Sequence, residues 1–339
     1  MMSILVTGGA GYIGSHTCLE LLNANYDVVV LDNFSNSKIE SIKRVEQITA
    51  RKMTFIQGDV RDRQLLRDIF TAHKISAVIH FAGFKAVGES VKLPLMYYDN
   101  NVSGSIVLAE IMAEFCVKRM VFSSSATVYD APGDRQIQEN FPLKPINPYG
   151  QSKLMVEYVL QDLAHSDPDW KIAVLRYFNP VGAHESGMIG EDPNGVPNNL
   201  MPYISQVAVG RLAELSVFGS DYPTVDGTGV RDYIHVVDLA LGHLAALRAL
   251  EAKSGIVTVN LGTGKGCSVL ELVKAFEQAS GKAVKYRLVS RRAGDVATCY
   301  ADPSLAKQLF GWHANLGIDA MCRDAWRWQS NNPQGYPNS

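Results

Sequence analysis

Paired cysteines, metal-binding spacings, a surplus of one charge and long apolar runs are all missing from this chain. Its five cysteines (Cys18, Cys116, Cys267, Cys299, Cys322) are scattered, with no Cys-x-x-Cys pair. That pattern argues against a disulfide framework and for free thiols in a reducing compartment. The eight histidines form no His-Glu-x-x-His and no finger spacing, so no metal site is expected. A formal net charge of −2 leaves no overall basic footprint for nucleic acid, although Arg291-Arg292 is a local basic pair. No apolar run reaches membrane-spanning length. The opening Met1-Met2-Ser3-Ile4-Leu5-Val6-Thr7-Gly8 has no basic stretch ahead of an apolar one and reads as a strand entering a glycine turn. We therefore expect no signal peptide, a cytoplasmic location, and no nucleic-acid or membrane partner. Internal repeats and low-complexity tracts are also absent.

What is present is a chain of 339 residues, 47% of them hydrophobic, enough for a large core in two lobes. Short apolar runs at Ile4–Thr7, Val28–Leu31, Met53–Gln57, Ala77–Phe81, Met120–Ser123 and Ile172–Tyr177 alternate with helical stretches. Continuous runs of this kind suit strands covered on both faces. Their alternation with helices predicts right-handed βαβ units and an α/β fold, a Rossmann-type doubly wound parallel sheet. After Asn179 the texture changes. Residues 179–202 and 219–229 are rich in Gly, Pro and Asn, the composition of long binding loops. Strand-then-helix texture returns at Asp232–Leu250, and Ile256–Leu261 reads as one more strand. The expected division is a sheet domain of 1–180 plus about 235–261, and a smaller, discontinuous C-terminal substrate lobe of about 181–234 plus 262–339. The polar tail Asn331–Ser339 is expected to be frayed.

Gly8, Gly11 and Gly14 follow the first strand with GxxGxxG spacing and open a helix. The first glycine suits the tight turn, the second a close approach of pyrophosphate, and the third helix–strand packing. Asp32 ends the second strand about twenty residues on. A carboxylate there accepts from adenosine ribose hydroxyls and repels a 2′-phosphate, favouring NAD over NADP; the alternative is a solvated turn aspartate. Asp59 follows the third strand and either bonds the adenine amino group or caps the next helix. Gly262-x-Gly264-x-Gly266 lies late in the chain and reads as a turn into a helix near Val269–Ser280.

Further on, Ser123-Ser124-Ser125 precedes Pro148-Tyr149-Gly150-Gln151-Ser152-Lys153. A phenol is a weak base at neutral pH because its ordinary pKa is about 10. A cation one helical turn away favours the phenolate and makes proton abstraction feasible. Spacing of four residues puts Tyr149 and Lys153 on one helix face. Either motif alone is weak, and their order after the glycine loop is what carries the reading.

Across nearly the whole chain the sequence resembles the extended short-chain dehydrogenase/reductases, and among them the UDP-galactose (UDP-glucose) 4-epimerases. The matching stretches include Val6–His16, Asp32-Asn33, Ile79–Gly83, Lys85–Ser90, Tyr98–Val102, Ser123–Tyr129, Arg176–Pro180, Pro197–Leu200 and Gly229–His235. Lys85-Ala86-Val87-Gly88-Glu89-Ser90 and Pro197-Asn198-Asn199-Leu200 are the stretches most specific to the epimerases. The resemblance implies tightly held NAD and reversible inversion at C4 of a UDP-hexose through a 4-keto sugar. Tyr149 would be the base, Lys153 would lower its pKa and hold the nicotinamide ribose, and Ser125 would bridge Tyr149 and the sugar oxygen. It also implies cofactor contacts from Gly8, Gly11, Tyr12, Ile13, Gly14, Asp32, Asn33, Asn36, Asp59, Val60, Phe81, Ala82, Gly83, Lys85, Asn100, Ser123 and Phe178.

For the sugar nucleotide, Arg231 and Arg292 suit a pyrophosphate because the guanidinium fork matches phosphate geometry. The resemblance adds Asn179, Asn199, Val269 and Lys85. Leu200 and Phe218 either flank the uracil or are core residues. Asp295 either accepts uridine ribose hydroxyls or pairs with a neighbouring arginine. Cys299 stands where family members restricted to UDP-glucose and UDP-galactose have a pocket tyrosine, so we expect room for a 2-acetamido group, provided that Tyr300 is not the pocket residue. Asp130 replaces a usual glycine, a change that matters only if the backbone there needs positive φ. The family also implies a homodimer through helices near Pro94–Phe115 and Tyr149–Ala164. Leu108, Ile111, Met112, Leu154, Val156 and Val159 are either seam or core. Two other functions compete. A sugar-nucleotide 4,6-dehydratase needs an acid–base pair just after the strand-end serine, where this chain has Ala126 and Thr127. A non-enzymatic dinucleotide-sensing protein would not need Ser125, Tyr149 and Lys153.

Overall fold

The computed structural model describes residues 3–130, 133, 135–292 and 295–337. Met1 and Met2 of the opening segment, Ala293 and Gly294 of the Arg292–Asp295 segment, and Asn338 and Ser339 of the tail lie outside the described residues.

Seven parallel strands form the main sheet. They are β1 (Ser3–Thr7), β2 (Asp27–Asp32), β3 (Thr54–Gln57), β4 (Ile75–His80), β5 (Arg119–Ser125), β6 (Lys171–Tyr177) and a last strand Gly255–Leu261. In space the last strand lies beside β6, followed by β5, β4, β1, β2 and β3. Strand order therefore reverses between β1 and β4, and a crevice opens beyond their carboxyl ends.

Alternation along the strands feeds two cores, because successive side chains point to opposite faces. Ile4, Val6, Val28 and Val30 face one layer with Cys18, Leu19, Leu22, Ile42 and Leu239. These belong to helices α1 (Tyr12–Asn23), α2 (Ile39–Thr49) and Val236–Ala249. Leu5, Val29 and Leu31 face the other, with Leu66, Ile69, Leu108, Ile111, Val156 and Leu160. Those come from α3 (Arg63–Ala72) and helices Gly104–Glu114 and Pro148–Ser166.

The remaining residues build three small sheets. Asn179–Val181 pairs with Tyr233–His235, and Leu215–Phe218 with Tyr286–Val289. Val230–Arg231 lies between Cys267–Ser268 and Thr298–Cys299. Helices Leu200–Ala208, Val269–Ser280 and Ile318–Asn331 share a separate core around Ile204, Phe276 and Cys322. Helix Ser304–Phe310 departs from the expected lobe division: Ala306 and Trp312 are packed in the core of the main sheet.

The expected fraying of the tail changes, and two open alternatives resolve. The tail is ordered through Pro337: Tyr336 is buried, its N–H donates to Asp192 at 2.9 Å, and its ring lies 4.6 Å from that of Trp328. An apolar side chain that finds a pocket is held whatever the polarity of its neighbours. Leu108, Ile111, Met112, Leu154 and Val156 are core residues of this chain, and Val159 is half-buried. The exposed apolar side chains of those helices are instead Ile106, Met155 and Tyr158. Asp130 does not adopt positive φ, so the loss of glycine there strains nothing. Among the described residues, no helix is long and apolar enough to cross a membrane.

Candidate active site

The turn after β1 is closed by backbone contacts that leave no room for side chains. Gly8 sits at φ +71°, and a Cβ on it would lie 2.7 Å from the Ala82 nitrogen after β4. A Cβ on Gly14 would lie 2.3 Å from the Gly8 carbonyl oxygen. Gly11 begins α1 and provides no side-chain cap, so the first-turn N–H groups carry no side-chain acceptor. Gly8, Gly11, Tyr12, Ile13 and Gly14 line a cleft of about 450 Å³. Asp32, Asn33, Asn36, Val60, Phe81, Ala82, Gly83, Lys85, Asn100, Tyr149 and Lys153 line it too. Asp59, Ser123 and Phe178 do not; Phe178 belongs to a buried cluster with Val128 and Leu154.

Asp32 is buried and fixes the rim. Its oxygens accept from the Ala10 N–H at 3.0 Å, the Phe34 N–H at 2.9 Å and the Ser37 hydroxyl at 2.7 Å. Two carboxylate oxygens offer about four acceptor sites, which leaves capacity for a ribose hydroxyl. Asp59 is not the cap of α3. That role falls to Asp62, which accepts from the Gln64 and Leu65 N–H groups. Asp59 accepts from the Arg61 guanidinium and from Asn33, contacts that hold it well below the usual carboxylate range.

The reactive end sits where helix Pro148–Ser166 crosses β5. Asn147 caps that helix by accepting from the Gly150 N–H, which starts the first turn at Tyr149. Tyr149 and Lys153 are both buried on its inner face. Thr127 donates its N–H and hydroxyl to Ser125 Oγ at 3.2 and 2.9 Å, leaving the Ser125 proton for Tyr149. Burial raises the Tyr149 phenol, and the bond with Ser125 opposes that rise. Lys153 donates to the Ser123 carbonyl at 2.8 Å and lies 4.9 Å from the Phe122 ring centroid. Burial brings the Lys153 ammonium down to about 8, against the pull of Glu157. The sequence points to Lys153 as the group that acidifies the phenol; in this structure the lowering comes from Ser125.

In the smaller lobe, Arg231 and Arg292 converge on Asp295, at 3.7 and 3.2 Å. Arg292 also lies 5.3 Å from the ring centroid of half-exposed Phe218. Asp295 here makes the arginine pairs that were the alternative to a ribose contact. Asn199 lines the cleft and donates to Glu191 at 2.8 Å, while Asn179 donates to the Asp232 carbonyl at 3.0 Å. Leu200 and Val269 begin their helices and pack on the lobe's core. Cys299 packs on the cluster of Leu154, Phe178 and Ala126, next to Ser125. The Tyr300 ring lies within van der Waals distance of a Cβ built on Gly266. The late glycine motif wraps around buried Asp232, which accepts from the Thr263 and Gly264 N–H groups.

Several cleft residues gave no sign in the sequence. Glu191 pairs with Lys85 at 2.9 Å, and Asp192 pairs with Lys38 at 2.9 Å. With Asn194 and Tyr336 they form one wall of the cleft. Asn101 holds the strand-end loop, accepting from the Phe84 N–H and donating to the Phe84 carbonyl and the Ser152 hydroxyl. The resemblance points to its neighbour Asn100, which lines the cleft. A wide turn at Tyr98–Ser103 buries both, a helix irregularity often found at functional sites.

Comparison with known proteins agrees with this geometry. The family model described as GDP-mannose 4,6 dehydratase matches residues 5–325. The UDP-glucose 4-epimerase of Bacillus subtilis (strain 168) is 61% identical over 338 residues, 100% of both chains. That of Dictyostelium discoideum is 58% identical, covering 99% of this chain and 98% of its own. Among solved structures, the Bifidobacterium longum UDP-glucose 4-epimerase in complex with NAD+ and UDP superposes with a TM-score of 0.96 at 53% identity, over 99% of this chain and 100% of that one. The Campylobacter jejuni UDP-Glc/GlcNAc 4-epimerase does so with a TM-score of 0.85 at 37% identity, over 98% and 100%. Sequence and fold agree along the full length, and the chain belongs to the UDP-glucose 4-epimerase family, within the wider group that the GDP-mannose 4,6 dehydratase model describes.

Proposed function

We propose that this chain is an NAD-dependent enzyme that interconverts UDP-galactose and UDP-glucose by reversible inversion at C4. The observation that carries the reading is that Tyr149 and Lys153 line the same cleft as the glycine loop, with the Ser125 hydroxyl acting on the Tyr149 phenol. The cleft suits a dinucleotide: glycines where a Cβ would collide with backbone, uncapped N–H groups at the start of α1, and a buried carboxylate at the ribose end. Gly8, Gly11, Gly14 and Asp32 would hold it, with Lys153 at the nicotinamide end. When bound, NAD supplies the two-electron acceptor from which the same hydride comes back, so each turnover is redox-neutral.

The protein's part is proton transfer and positioning. Tyr149 removes the proton of the 4-hydroxyl, helped by the hydroxyl of Ser125, which favours the phenolate. Lys153 keeps a positive charge on the same helix face. Turning the 4-keto sugar over within the cleft presents its other face, and Tyr149 returns the proton to the inverted alcohol. A dehydratase reading has no support beside Ser125, where Ala126 carries no acid and the Thr127 hydroxyl is spent on Ser125.

We assign the sugar-nucleotide contacts to Asn179, Asn199, Arg231, Arg292 and Phe218, and the substrate lobe to about 181–234 with 262–303 and 318–337. Opening of the Asp295 pairs would free the Arg292 guanidinium and the Nη2 end of Arg231 for a pyrophosphate, while Arg231 Nη1 stays on the Val230 and Val296 carbonyls. Cys299, much smaller than the tyrosine of the restricted family members, leaves space for a 2-acetamido group, and the enzyme is expected to turn over the N-acetylated pair as well. A cytoplasmic homodimer through the exposed Ile106, Met155 and Tyr158 completes the reading, and solution mass tests it. Incubating the protein with each of the four UDP-sugars and identifying the products is the direct test. No interconversion of UDP-galactose and UDP-glucose defeats the activity; none of the N-acetylated pair defeats only the wider range.

A further inference from the structure

Helix Pro148–Ser166 carries three buried polar side chains at four-residue spacing, Tyr149, Lys153 and Glu157. Each meets one of the three serines ending β5. Ser125 acts on the Tyr149 phenol, and Lys153 donates to the Ser123 carbonyl at 2.8 Å. Glu157 accepts from the Ser124 hydroxyl at 2.5 Å. Two rungs of this ladder belong to the reaction already described; the third has no part in it.

The third rung is costly to build. Glu157 is fully buried, and Arg176 of β6 closes on it with Nε at 3.0 Å and Nη2 at 2.5 Å. Arg176 is fixed in turn by donating to the Tyr129 hydroxyl at 3.0 Å and the Glu139 carbonyl at 3.1 Å. Tyr129 donates to Asn260 on the last strand at 2.7 Å. Buried ion pairs of this kind seldom stabilise a fold more than apolar residues of the same size, so stability alone does not explain one here.

We propose that Glu157 is a positioning residue of the epimerase reaction, keeping Lys153 charged and the catalytic helix in register with Ser125. The proposal rests on the C4-epimerase reading. Lys153 shares its helix face with Tyr149 and Glu157, and its charge reaches His80 of β4. Burial leaves His80 neutral near pH 7. Arg176 turns its charge onto Glu157, and Glu157 is the carboxylate that acts on Lys153. Without it, the ammonium loses its proton at lower pH.

Glu157→Gln keeps the shape and removes the charge, and Glu157→Gln with Arg176→Met removes the stranded cation as well. Both are assayed as NAD-loaded enzymes beside the wild type, with NAD content per chain as a check on folding. The expected result is a kcat lower by about tenfold, a KM for UDP-galactose within about twofold, and an alkaline limb of kcat moved down by about one pH unit. A double variant that keeps its NAD and shows the wild-type kcat and alkaline limb overturns the role of Glu157. So does one that loses kcat equally at every pH, since a structural defect has no pH signature. A wild type that does not interconvert the two sugars overturns the underlying reading instead.

Discussion

Replacing Gly14 by alanine tests the dinucleotide cradle with a single methyl group. The added Cβ would stand 2.3 Å from the Gly8 carbonyl oxygen and 2.8 Å from the Gly9 Cα. Ordinary contact begins near 3.4 Å, so the Gly8-Gly9 turn must withdraw by roughly 1 Å in a close-packed interior. It has nowhere to go. Gly8 already donates to the Leu31 carbonyl at 2.7 Å, and the Ala82 nitrogen is close on its other side. Overpacking of this kind costs about 1–3 kcal/mol. A Gly→Ala change inside a helix returns up to about 1 kcal/mol through backbone entropy. The clash wins, with a net loss of roughly 1–2 kcal/mol and a melting temperature lower by roughly 1–3 °C. The larger effect falls on the cofactor, because the displaced N–H groups are those that would meet the pyrophosphate. NAD should leave the variant during gel filtration and stay with the wild type. Gly88→Ala is the control: a Cβ there meets nothing within 4 Å, and helix Val87–Lys92 should accept it without loss. Full NAD retention and an unchanged melting temperature in Gly14→Ala would refute the cradle as drawn.

Three other outcomes follow from the same geometry. Tyr149→Phe removes the base and should lower kcat by about 10²–10⁴-fold while leaving NAD in place; near-normal turnover would exclude Tyr149 as the proton carrier. Cys299→Tyr should abolish turnover of the N-acetylated pair and spare the plain pair, whereas equal loss of both would mean that the side chain fills some other space. Burial lowers His16 and His80 to about 3 and His243 to about 4, so the unfolded chain binds more protons below its ordinary histidine value of 6.5. Stability should therefore fall as pH drops from about 6.5, by about 1.4 kcal/mol per histidine per pH unit. Denaturant unfolding at pH 7.5, 6.5 and 5.5 reads this directly, and a flat profile over that range would contradict it.

The fold and the site are legible in the sequence where local chemistry suffices. The seven strands could be found because a sheet covered on both faces demands unbroken apolar runs, and Val28–Leu31 or Ile172–Tyr177 have no other explanation. Gly8, Asp32, Tyr149 and Lys153 stood out because their spacing encodes a turn, a strand end and a helix face. The rest depends on contacts between distant segments. Glu191 and Asp192 reach Lys85 and Lys38 from more than a hundred residues away, and Tyr336 fills a pocket that no pattern in a polar tail could announce. Leu108 and Val156 show the limit of periodicity: an apolar helix face looks the same whether its partner is the chain's own sheet or another copy. The partition of acidifying influence between Ser125 and Lys153 was hidden too, because it depends on where an ammonium finds its hydrogen bond.

Everything turns on a hydride that leaves C4 and comes back within one bound pair. UDP-galactose deuterated at C4, incubated with the purified protein and no added dinucleotide, measures that directly. The account predicts UDP-glucose that keeps its deuterium at C4, with no net change in nicotinamide absorbance. Deuterium lost to solvent, or a reaction that proceeds only when dinucleotide is supplied and consumed, would contradict it.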